Sequence, residues 1–273
     1  MRGFFVRLPA MPDTQFAVQL YTLRDHCKTE SDFAGTCRKL KAQGWGAVQV
    51  SAVGVDDPKM IRRILDDSGL VCCVTHHRPG EQIWEEPAAV AETLDILGCD
   101  HTAIGGYFPK GEDFNEASWR AWIERFNGAA DALRQRGKFL GYHNHSHEFA
   151  KLGGKDDFRS ETAMELLARE CGESVWFEID TYWVAHGGGD PAAWLRRLGG
   201  RVPIIHVKDL AIDLDKQQYM AEVGVGNLDW PGILAAAKEA GVRWYAVEQD
   251  VTYRDPFDSL QTSLDNLRAM GLS

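Results

Sequence analysis

Short apolar runs alternate with segments of helical period from Phe16 to the end of the chain, and this alternation is the strongest constraint on its fold. "FAVQL" (Phe16–Leu20) precedes "DFAGTCRKLKAQG", and "GAVQVS" precedes "PKMIRRILDDSG", where Ile61, Ile64 and Leu65 recur at helical spacing. "LVCCVTH" leads to "AAVAETLDILG", "HTAIGG" to "SWRAWIERFNGAADALRQRG" and "KFLGYHNH" to "TAMELLARECG". "VWFEID" leads to "PAAWLRRLGG", "VPIIHVKD" to "WPGILAAAKEAG" and "WYAVEQD" to "DSLQTSLDNLRAMG". Gly44, Gly69, Gly98, Gly137 and Gly241 stand where left-handed caps would end helices before the next strand. Strands that alternate with helices imply parallel βαβ units, and eight of them imply a (β/α)8 barrel. The rival, an open doubly wound sheet, usually carries a glycine-rich turn after an early strand; "YTLRD" after "FAVQL" has no glycine.

A chain of 273 residues suits one such barrel, and no linker or low-complexity stretch divides it. One domain over residues 1–273 is expected, with residues 1–14 as an N-terminal extension. The apolar part of that extension is broken by Arg7 and Pro9, which makes a poor signal peptide, and no run is long enough to span a bilayer. A net charge of −10 argues against nucleic-acid or anionic-membrane partners, which need a basic footprint. The six cysteines lack metal-site spacing and read as reduced, mostly buried thiols of a cytoplasmic protein.

In a barrel of this kind chemistry sits at the C-terminal strand ends. There the apolar strands close on "WFEID", "IIHVKD" and "AVEQD", and strand five runs into "HNHSHE". Strand alternation places Glu178 with Asp180, His206 with Lys208, and Glu248 with Asp250 on shared faces. Inward carboxylates and an imidazole would be too costly to bury together without a divalent cation. Asp180, His206 and Glu248, with Glu148 just past strand five, form such a set; mixed oxygen and imidazole ligation suits Mn²⁺, Mg²⁺, Co²⁺ or Zn²⁺, and Mn²⁺ is favoured. Any one of these residues alone reads as well as a solvated strand end or an ion-pair partner; four in matching phase do not. Asp209 and Asp250 read as caps or ion-pair partners.

Together these segments resemble the sugar phosphate isomerase/epimerase superfamily, the xylose-isomerase-like TIM barrels. "VQLYTLRD", "YHNHSHEF", "EIDTYWVAHGGGDP", "IHVKD", "VGVGNLDWPGIL" and "VEQD" carry the likeness, which points to the branch of inosose dehydratases and 3-keto-sugar-processing enzymes. It implies one divalent metal on Glu148, Asp180, His206 and Glu248. Relatives with a plain strand end carry the strand-five ligand where this chain has His143, so that position stays open between Glu148 and His143. The endonuclease-IV-like branch has a histidine where this chain has Trp183, and the extra ligands of its three-zinc site have no counterpart here.

The implied chemistry is isomerisation, epimerisation or dehydration of a sugar, keto-sugar or cyclitol by proton abstraction beside a carbonyl through a metal-stabilised enediolate. His143 and His145 would share the inward face if strand five stays extended, and they read as acid or base; His147 is expected to face solvent. Glu178 reads as an acid/base or supporting carboxylate, and Lys208 as a group for a substrate oxygen or an ion-pair partner. His76, Tyr21 and Trp183 read as substrate-binding residues, each equally credible as packing. "GVGNLDW" has glycines for a phosphate cradle but no nearby cation, so phosphate is not expected. The competing functions are a non-catalytic carbohydrate-binding or partner subunit and a metallohydrolase; a homo-oligomer is compatible with each.

Overall fold

A computed structural model describes residues 15–272; the 1–14 extension lies outside them. Eight parallel strands close on themselves: β1 (Phe16–Gln19), β2 (Ala47–Val50), β3 (Val71–His76), β4 (His101–Ile104), β5 (Phe139–His143), β6 (Val175–Asp180), β7 (Ile204–Val207) and β8 (Trp244–Val247). Each pairs with its sequence neighbour, and β1 pairs with β8 to complete the (β/α)8 TIM barrel that the alternation implies.

Local chemistry sets the helix boundaries. In Pro58–Ser68, Asp57 accepts from the Lys59 N–H, Pro58 opens the first turn and Gly69 closes the helix in the left-handed region; Ile61, Ile64 and Leu65 face inward. Gly44, Gly98 and Gly241 also cap helices left-handed. Gly137 is left-handed too, but it lies past the cap, which falls on Gln135.

Two apolar regions result. One joins the outer faces of the strands to the helices. The other fills the lower barrel, where Trp176 and Trp244 pack against Ala17, Ala47, Ala103 and Ala246. Gly141 belongs to that fit: a Cβ there would stand 2.3 Å from the Trp176 indole. The six cysteines are all buried and free. Among the described residues no helix is long and apolar enough to cross a membrane.

Between β7 and the helix Trp230–Ala240 the chain inserts an antiparallel hairpin, Asp209–Ile212 with Gln218–Ala221, which the βα reading did not anticipate. Asp209 is its anchor rather than a cap or an ion-pair partner. Its carboxylate accepts from the N–H groups of Leu210, Gly224, Gly226 and Leu228 and from Trp230 Nε1. The glycine-rich loop therefore gathers its donors on an internal carboxylate, which occupies the place a phosphate would need. Gly226 permits this approach, since a Cβ there would lie 2.4 Å from Asp209 Oδ1.

Candidate metal centre and cavity

The site rests on strand register. His143 stands beside Glu178, Asp180 beside His206, and His206 beside Ala246, two residues before Glu248. Because side chains two apart share a face, Glu178, Asp180, His206, Lys208 and Glu248 all enter the upper barrel together with His143. All six are buried.

Asp180 also caps the helix Thr181–His186. Its Oδ1 accepts from the Trp183 N–H at 2.9 Å, and its own N–H donates to Asn144 Oδ1, so Oδ2 is left facing the axis. His206 Nδ1 lies 3.0 Å from Glu248 Oε2 and 3.8 Å from Asp180 Oδ2. Lys208 Nζ approaches Asp180 Oδ2, Glu248 Oε2 and Asp250 Oδ2 at 2.9, 2.8 and 3.1 Å. Asp250 is thus an ion-pair partner, as its position implied.

His143, Asp180, His206 and Glu248 each offer a donor atom, and these atoms lie within 4.8 Å of one another. His143 Nδ1 is buried without a hydrogen-bond partner, and Asp180 Oδ2, His206 Nδ1 and Glu248 Oε2 are buried with only each other and the Lys208 ammonium to face. Two buried carboxylates and two imidazoles converging on one point, with Lys208 as the one ammonium against them, fit a cation. Two imidazoles and two carboxylates suit Mn²⁺, Zn²⁺ or Co²⁺.

Glu148 stands outside this group. Its carboxylate accepts from Tyr142 O–H at 2.7 Å and from the His145 N–H at 2.9 Å, and His143 takes the strand-five place in the cluster. The physical reason is that β5 ends at His143, and a short helical turn over His147–Phe149 carries Glu148 off the axis. His145, just past the strand end, packs its ring against Trp183 and Phe108 and leaves Nδ1 without a partner. His147 does not face solvent: Nε2–H donates to the Tyr107 carbonyl, and the ring is half-buried against Phe108 and Trp119.

Glu178 is the hub beneath the cluster. Oε2 accepts from His76 Nε2 at 2.6 Å and from Gln49 Nε2 at 3.2 Å; Oε1 lies 3.3 Å from His206 Nε2. Gln49 and Asn144 were missed in the sequence. The available signal for Gln49 was a lone amide inside the apolar run "GAVQVS".

Burial would raise the Glu178 carboxyl, but His206 and His76 outweigh it and hold it well below the usual range. Burial would lower His206, and Glu178 with Glu248 raise it well above instead. Burial likewise opposes the charge on Lys208, where Asp180, Glu248 and Asp250 prevail and raise it. His143 is pushed well down by burial and then by His206, so its ring is neutral and free to ligate. His145 is lowered to about 4, chiefly by burial. Burial, with Glu248 adding to it, lifts Asp250 to about 6.

Above the cluster opens a cavity of about 660 Å³. His76, His143, His145, Glu248 and Asp250 line it, and Tyr21, Trp183, Met220 and Val251 give it apolar wall. Trp183 Nε1 has no partner, and Lys208 Nζ lies 5.5 Å from that ring's centroid. The structure therefore brings Tyr21, Trp183, His76, His143 and His145 to one chamber, with Glu178 and Lys208 beneath it.

Fold and site together define a (β/α)8 barrel with a buried His/Asp/Glu donor set at the C-terminal ends of its strands. A family model described as the xylose isomerase-like TIM barrel matches residues 37–270, and the chain belongs to that family. The rhizopine catabolism protein MocC of Rhizobium meliloti is 25% identical over 169 residues, 56% of this chain and 50% of that protein. Inosose dehydratase of Clostridium beijerinckii is 22% identical over 191 residues, 64% of this chain and 59% of that protein. The chain thus spans about half the length of the first of these curated relatives and about three-fifths of the second. A sugar phosphate isomerase/epimerase from Parabacteroides distasonis superposes with a TM-score of 0.79 at 24% identity over 96% of both chains, a likeness of fold.

Proposed function

We propose that this protein is a divalent-metal-dependent isomerase, epimerase or dehydratase of a sugar, keto-sugar or cyclitol. The observation that carries the reading is the convergence of four buried metal-ligating side chains, His143, Asp180, His206 and Glu248, at the floor of a sugar-sized cavity. The matches to inosose dehydratase and to a rhizopine catabolism protein support a polyhydroxylated substrate. Free, buried cysteines suit a reducing cytoplasm.

His143, Asp180, His206 and Glu248 would hold the metal, with Mn²⁺ favoured, and a bound ion would supply Lewis-acid stabilisation to an oxyanion developing beside the departing proton. His76 and His145 flank His143, with ring centroids 5.5 and 4.8 Å from it. One takes the proton next to the carbonyl, and the other returns a proton to carbon or to a leaving hydroxyl. Glu178 holds His76 through Nε2–H, which leaves Nδ1 as the basic atom. Lys208 keeps the carboxylates compensated, and Tyr21 and Trp183 pack against the ring and exclude water.

Chelator-treated protein titrated with Mn²⁺, Co²⁺ and Zn²⁺ should take up one ion per chain. Metal-loaded protein should then exchange deuterium into a subset of keto-sugars and inososes screened by NMR in D₂O. A wild-type protein that binds none of these ions refutes the enzyme reading.

A further inference from the structure

Gln49, fully buried on β2, makes two hydrogen bonds that constrain each other. Its Nε2–H donates to Glu178 Oε2 at 3.2 Å, and its Oε1 lies 2.8 Å from His206 Nε2. An ionised carboxylate has only acceptors, so the amide can face Glu178 only through its NH₂ group. That leaves the amide oxygen toward His206, and His206 Nε2 must carry the hydrogen it donates. Glu178 Oε1, 3.3 Å from the same nitrogen, is a second acceptor consistent with this. In the neutral ring that a metal requires, the lone pair of His206 is thereby assigned to Nδ1, the nitrogen that faces Glu248 and Asp180.

The geometry points to Gln49 as the positioning residue that fixes the His206 tautomer, so that Nδ1 is presented to the metal and Nε2–H is held by β2. This rests on the metal reading above. Gln49 does not line the cavity, and among the four metal-ligating residues its hydrogen bond is to His206; its other bond is to Glu178, which also holds His76. Outer hydrogen bonds of this kind orient metal-bound imidazoles in general, and their loss costs about 10–100-fold in metal affinity.

The test compares wild type with Gln49→Met, which keeps the volume and removes both bonds, and Gln49→Glu. In the protonated form the Gln49→Glu carboxyl can still accept from His206 while donating to Glu178. Zn²⁺ binding is measured by calorimetry, the melting of the metal-free proteins is compared, and ring ¹⁵N shifts of Zn²⁺-loaded protein report which His206 nitrogen is ligated. The expected result is Nδ1 ligation in wild type, about 10–100-fold weaker Zn²⁺ binding in Gln49→Met, and recovery of most of that loss in Gln49→Glu. Undiminished Zn²⁺ affinity in Gln49→Met overturns the inference, as does Nε2 ligation in wild type, a measurement that holds even if the variants fail to fold. A wild type that binds no Zn²⁺, Mn²⁺ or Co²⁺ removes the metal reading itself, which is a different result from an insensitive variant.

Discussion

His101 and His206 are both buried inside the same barrel, yet they are driven to opposite charge states. His101, at the start of β4, stacks on Phe139 and meets the edge of Trp176; burial lowers it to about 4. His206, at the C-terminal end of β7, feels the same desolvation, but Glu178 and Glu248 outweigh it and raise it well above the usual imidazole range. Burial therefore does not decide the charge of a group in this interior; its partners do. The lower barrel satisfies itself by apolar packing around Trp176 and Trp244. The upper barrel is a set of opposed charges with several polar atoms left over. The two halves are built from the same strands: Trp176 belongs to the floor, and Glu178, two residues on, belongs to the site.

The largest effect should come from the floor. Trp176→Ala opens a cavity beneath the charged layer and should lower stability by about 3–5 kcal/mol in urea denaturation. Divalent-metal affinity should change less than threefold, of order half a kcal/mol. A parallel collapse of metal binding would show that the halves are one unit.

Next in size is Lys208→Met. Asp180, Glu248 and Asp250 lose their common counter-charge, and breaking such a buried network costs about 3 kcal/mol. Saturating Mn²⁺ or Zn²⁺ should return most of that loss in this variant, because the cation compensates the same carboxylates. If the metal-free variant melts with wild type, Lys208 is not what balances the upper barrel.

The division between halves explains what the sequence made legible. Period-two alternation put Glu178 and Asp180, His206 and Lys208, and Glu248 and Asp250 on inward faces, and all of them lie there because β6, β7 and β8 run straight into the site. Strand five was different. Nothing in "YHNHSHEF" marks where extension stops, and that point decides whether His143 or Glu148 reaches the axis. The stop goes with one long-range contact, Asn144 Oδ1 receiving the Asp180 N–H, and with a local turn in which Glu148 accepts from Tyr142 and the His145 N–H. The hairpin after β7 was hidden in the same way, since its anchor is Asp209 gathering donors up to twenty-one residues away. Gln49 was legible only as an oddity within an apolar strand, because its role lies in partners from β6 and β7.

The smallest effect separates the halves by the sign of a pH dependence. His101 titrates near 4 when folded and near 6.5 when unfolded, so between these values the unfolded chain binds the extra proton and wild-type stability rises with pH. Glu148 is the mirror case. Burial raises it from 4.5 to about 7, despite the hydrogen bond from Tyr142, so the folded chain binds the extra proton and stability falls as pH climbs from about 4.5 to 7. Each contribution spans about 3 kcal/mol at 1.36 kcal/mol per pH unit, and in wild type they largely oppose one another, so the net change is the smallest of the three. His101→Gln should therefore gain on wild type at the acid end of its window, and Glu148→Gln at the alkaline end. Glu148→Gln can keep both hydrogen bonds: its amide oxygen accepts from the His145 N–H while its NH₂ donates to the Tyr142 oxygen. With the packing preserved and Glu148 outside the donor set, metal affinity should stay within about threefold of wild type, whereas Asp180→Asn should lose about 100-fold or more, since it removes a charged ligand. Urea titrations from pH 4 to 8 with parallel Zn²⁺ binding measure both. Equal losses of metal affinity in Glu148→Gln and Asp180→Asn would return Glu148 to the metal and release His143 for proton transfer.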